Sequence, residues 1–113
     1  MTDFHPQQAV KTLRDNSIEI EKLGKQIHQK RLAIIMAYGV LMDAEVVARK
    51  KMFAEGIKAS FARDFIKLEI AQEEKAHEIL KHELKDLESQ LHIIEEVNNA
   101  LKMSYKIANN INF

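Results

Sequence analysis

Cysteine and tryptophan are absent from the 113 residues, proline occurs once and glycine three times. Without cysteine there is no disulfide framework and no thiolate nucleophile or metal ligand, which fits an intracellular chain. With proline and glycine so scarce, a sheet punctuated by turns is a poor expectation, and Ala, Leu, Ile, Glu and Lys dominate as they do in long helices. An excess of charge is missing too: 17 basic residues balance 17 acidic ones. Bulk attraction to a polyanion is therefore excluded as a general property. Met1–Gln8 is polar and lacks the basic-then-apolar pattern of a secretory signal, so a cytoplasmic location is expected.

What is present is helical spacing. The longest apolar stretch, Leu32–Ala48, is interrupted only by Gly39, Asp43 and Glu45. Its uncharged part, Leu32–Met42, is far shorter than the roughly 20 residues a bilayer requires, so no membrane partner is expected. Around it Ile20, Leu23, Ile27, Ile34, Leu41 and Ala48 recur at helical intervals, with Tyr38 and Met52 at alternate positions. Pro6 suits a first helical turn, with Thr2 or Asp3 as cap. Asp15-Asn16-Ser17 competes for local backbone, yet a continuous helix is the expectation there. Gly24 and Gly39 inside the helix point either to a close helix approach or to a kink.

The one clear stop is Ala54-Glu55-Gly56-Ile57-Lys58-Ala59-Ser60, where Gly56 suits the left-handed end of a helix and Ser60 the cap of the next. This predicts a single all-α domain over 1–113, a long antiparallel hairpin with helices over about 6–54 and 60–109 and a turn over about 55–59. Each helix would be about 70–75 Å long at 1.5 Å per residue. The second half carries a coiled-coil seam at Ile66, Ile70, Glu73, His77, Leu80, Leu84, Leu87, Leu91, Ile94, Asn98, Leu101, Tyr105 and Ala108, spaced by threes and fours. The tail after it is expected to fray.

A lone hairpin leaves Leu32, Ile35, Met36, Val40, Val46 and Val47 off the seam. Contiguous apolar residues of this kind mark an interface, so a homo-oligomer is expected, most simply a dimer closing a four-helix bundle. Asn98, polar within an apolar seam, is expected to set register.

Two constellations suggest chemistry. Glu74-Lys75-Ala76-His77 is a Glu-x-x-His, and the hairpin register brings Glu45 near residue 70. A carboxylate on one helix and Glu-x-x-His on another make half of a di-iron carboxylate site, and a dimer would supply the rest. The plainer alternative is a hydrogen-bonded Glu–His cluster or a solvated edge. The second constellation is basic: residues 49–67 carry a net +4, with Arg49, Lys50, Lys51, Lys58, Arg63 and Lys67 against Glu55 and Asp64, whereas residues 69–96 carry −6. With Phe53 and Phe61 nearby, such a tip suits nucleic-acid binding through phosphate contacts, or contact with a protein partner, whereas Arg49–Lys51 alone would be explained by the dipole at the helix C-terminus.

The Glu-x-x-His resembles that of the encapsulated ferritins, two-helix proteins that complete a metal site across a dimer. The likeness implies Glu45, Glu74 and His77 as iron ligands and a ferroxidase activity. A broader likeness covers about residues 40–105: Glu55-Gly56-Ile57-Lys58-Ala59-Ser60 followed by EIAQEEKAHEILKHELKDLESQLHIIEEVNNALK. This resembles small helical accessory proteins of phage and prophage early regions, which have an apolar first helix, a glycine turn and a Glu-Glu-Lys-rich second helix. That resemblance implies a non-enzymatic adaptor without a cofactor, acting on a protein of DNA replication or recombination or on a host protein.

Overall fold

In the computed structural model, which describes residues 5–109, the chain is all-α. Helix α1 runs over Pro6–Ala54, a 3₁₀ turn over Ala59–Phe61, α2 over Ala62–Glu69 and α3 over Ala71–Asn109. Pro6 opens α1, where its missing N–H removes a group that has no intrahelical partner anyway. The proposed caps Thr2 and Asp3, and the tail beyond Asn109, lie outside the described residues.

Helix α1 passes through Asp15-Asn16-Ser17 and Gly39 unbroken. Ser17 does not start a second helix: its hydroxyl donates to the Leu13 carbonyl at 2.8 Å, the back-bond available to a serine inside a helix. A Cβ added at Gly24 or Gly39 would meet nothing within 4 Å, so neither glycine makes room for another helix of this chain. Gly56 fits the expectation, with φ +67, and the Gly56 and Ile57 amides close the helix end by donating to Phe53 and Met52 carbonyls. Ser60 does not cap. It lies within the 3₁₀ turn, and Phe61 at the N-cap of α2 makes no side-chain capping bond.

The second helix is also divided where no breaker residue stands. Ile70, at φ −103 and ψ 9, separates α2 from α3, although its amide still bonds Ile66 and its carbonyl still accepts from Glu74. Its side chain is buried and packs with Leu41 and Ala48, so the distortion falls within that core cluster.

The described residues divide into two compact units, residues 5–28 with 86–109 and residues 29–85. In the first, Ala9, Leu23 and Ile27 are buried together with one polar side chain, Asn98, at 5% exposure. Asn16 Nδ2 donates to Asn98 Oδ1 at 2.8 Å, so the buried amide oxygen is satisfied from the opposite helix. In the second, Leu41, Ala48 and Ile70 form the core, flanked by Ala44 and Ile66. On α1 every seam position falls on a residue sheltered to some degree, whereas Tyr38, expected there, is 52% exposed and sits at the seam's edge. Ala108, the last expected seam position, is exposed.

Two stability outcomes follow. Gly24→Ala is expected to stabilise by about 0.5–1 kcal/mol and Gly56→Ala to destabilise by about 1–2 kcal/mol in denaturant titrations, because only Gly56 needs a left-handed backbone. Asn98→Ala, which strands the Asn16 amide, is expected to remove about 1–3 kcal/mol, while replacing both asparagines by leucine restores it.

Candidate functional site

Between α1 and the helices that return along it, residues 29–85 hold nearly all the side chains that the sequence marks for chemistry. The seam position after Ile27 is Lys30, a cation where the repeat calls for an apolar residue. It is only partly exposed, and its Nζ donates to Glu83 Oε2 at 2.6 Å. The long methylene stem lies in the seam while the ammonium reaches its edge. Closer to the turn, the Tyr38 ring lies 5.8 Å from the His77 ring at a 47° tilt. Half-buried Glu73 stands one turn before His77, and its Oε2 is buried with no hydrogen-bond partner among the described residues. An unpaired buried carboxylate oxygen is a destabilising feature.

The three metal candidates do not converge within one chain. Glu45 and His77 are half-buried, but Glu74 is exposed, and it is Glu73 that occupies the seam. The described residues contain no group of three or more histidines, aspartates or glutamates placed to hold a metal ion. The nearest aromatic partner of His77 is Tyr38, an arrangement that suits packing at the helix interface. Glu78, the next residue, faces water. A hydrogen bond from Lys81, at 2.6 Å in their i,i+3 pair, holds its carboxyl below the ordinary glutamate range.

At the tip, Arg49, Lys50, Lys58, Arg63 and Lys67 are exposed and make no ion pair with a described residue. Lys51 differs: Glu69 on α2 takes it at 3.2 Å through both carboxylate oxygens. Phe53 and Phe61 stand open among these cations at 77% and 59% exposure. The residues expected to meet a second copy are exposed as well: Leu32, Ile35, Met36, Val40, Val46 and Val47 range from 49% to 73%.

In the unit of residues 5–28 and 86–109, a groove of about 710 Å³ is lined by Val10 and Leu13 of α1 and by Lys102, Met103 and Lys106 of α3. No nucleophile with a base beside it lines that groove. No described helix is long and apolar enough to cross a membrane. No protein-family model matches the chain, and neither a curated protein nor a solved structure matches it.

Asn16 and Lys30 are polar seam residues absent from the expected seam. Counting back from Leu23 and forward from Ile27 by threes and fours places both on the seam, and that spacing was the available signal. Glu73→Leu is expected to raise stability by about 1–3 kcal/mol, read by chemical denaturation, since it removes a buried oxygen without a partner. A loss of stability would mean that something outside the single chain satisfies that carboxylate.

Proposed function

We propose that this chain is a non-enzymatic, self-associating helical hairpin that works by presenting surfaces, an adaptor of the kind its sequence resembles. The observation that carries this reading is the outer face of α1. Leu32, Met36, Gly39, Asp43, Val46 and Lys50 follow one another by fours and threes, with Ile35, Val40 and Val47 alongside. Each lies about half a turn around the helix from the seam at half-buried Ile34 and buried Leu41 and Ala48, since two residues advance the helix by about 200°.

Helix α1 thus has two apolar faces over the same residues, one used within the hairpin and one open. A surface helix that serves only its own core has one apolar stripe and a polar remainder. Large exposed residues in register on the far side belong to an interface, and a second copy of the chain offers the same stripe in return. The exposed cations Lys58, Arg63 and Lys67 at the tip suit a further, acidic partner.

Sedimentation equilibrium is expected to return an oligomer, a dimer in the simplest case. Val46→Asp, at an exposed site that does not touch the hairpin core, is expected to weaken association about 30-fold or more, in line with loss of an interface anchor of about 2 kcal/mol. Helix content by circular dichroism should be unchanged. A folded, monodisperse monomer at high concentration would remove the proposal.

A further inference from the structure

The outer stripe of α1 is a heptad seam in its own right, and its charges give it a direction. Asp43 and Lys50 stand on it seven residues apart, which puts them at nearly the same angle around the helix. Both are exposed, and neither makes an ion pair with a described residue of its own chain. Arg49 and Lys51 flank Lys50, so the stripe is acidic at its middle and basic toward the turn.

Resting on the reading that a second copy covers this stripe, we infer that the two copies pack with their α1 helices antiparallel, about a two-fold axis between residues 44 and 45, so that Asp43 of each meets the partner's Lys50. A parallel, in-register pair would set Asp43 on Asp43 and Lys50 on Lys50, opposing like charges at both places. Antiparallel coiled-coil layers about the stated axis place Asp43 beside the partner's Val46 and Gly39 beside the partner's Lys50. Gly39 has no Cβ and open space around it. The long lysine stem therefore lies flat across the glycine, and its ammonium reaches the Asp43 carboxylate one turn away. The same register sets Met36 against the partner's Phe53, which is 77% exposed in its own chain.

Gly39 acquires a reason in this arrangement that it lacks within the hairpin. Glycine destabilises a helix interior relative to alanine, and no described helix of this chain comes close enough to require it.

The absence of native cysteine allows single spin labels to test the geometry on the full chain. Label pairs at Gln29→Cys should be about 45–50 Å apart in the antiparallel dimer, from 1.5 Å per residue on either side of the axis, against about 20 Å or less in a parallel one. Labels at Val47→Cys should be close in either arrangement. A charge test runs beside it. Asp43→Lys or Lys50→Asp alone should weaken association about tenfold, and the two together should restore it. Short distances at both label sites, or a double swap without rescue in a chain that still oligomerises, would overturn the antiparallel arrangement and leave the self-association intact. A monomer with no dipolar coupling at either site would overturn both.

Discussion

A hairpin of two helices can bury only the strip where they touch, and every other feature of this chain adjusts to that limit. Among the described residues the buried side chains are few: Ala9, Leu23, Ile27, Leu41, Ala48 and Ile70, with Asn98. Alanine at two of these positions lets the helices approach closely but contributes little area to the hydrophobic term. Small domains are marginal for this reason, and a domain that is only a pair of helices is more so. The polar members of the seam draw on the same small reserve. Asn98 takes its hydrogen bond from Asn16, Lys30 reaches the edge to Glu83, and Glu73 leaves one oxygen without a partner.

These polar residues give the seam specificity. An apolar seam of uniform repeat can slip by a heptad at little cost, because every register buries similar surface. An asparagine that pairs with an asparagine, and a lysine that finds a glutamate, are each satisfied in one register and stranded in the others. The hairpin thereby exchanges some stability for a single alignment of its helices. The same logic extends to the outer stripe, where an otherwise apolar surface carries an acid, Asp43, at its middle and a cation, Lys50, toward the turn.

Much of the fold was legible in the sequence because it depends on periodicity and on a single glycine. The bounds of α1, the turn at Gly56 and the α3 seam all follow from local rules that tertiary context did not override. The division at Ile70 was not legible, since isoleucine is an ordinary helix residue and the backbone change coincides with packing against Leu41 and Ala48. Ser60 looked like a cap by residue type, yet the chain enters α2 through a 3₁₀ turn that leaves its hydroxyl out of place. The candidate site was legible in outline only. Which of Glu73 and Glu74 faces inward is a matter of helical phase, and the seam's spacing places Glu73 there. The partner of His77 is an aromatic ring across the seam, a pairing that no single-helix motif encodes. The exposed stripe was readable because it repeats the seam's period on the opposite side of the same helix.

The turn at Gly56 also sets an order of events in time. The Lys51–Glu69 pair joins residues 18 apart in sequence, Lys30–Glu83 joins residues 53 apart, and Asn16–Asn98 joins residues 82 apart. Closing the widest of these loops directly from the unfolded chain costs about 1 kcal/mol more entropy than closing the narrowest, whereas each contact made nearer the turn shortens the loop that remains. Helical hairpins with a strong local start fold by extension from it, since near contacts form before distant ones are reachable. The pairing of Asn16 with Asn98 is then a late checkpoint, reached after the turn and its adjoining seam have closed, and a helix misaligned by a heptad would arrive there with both amides unmatched.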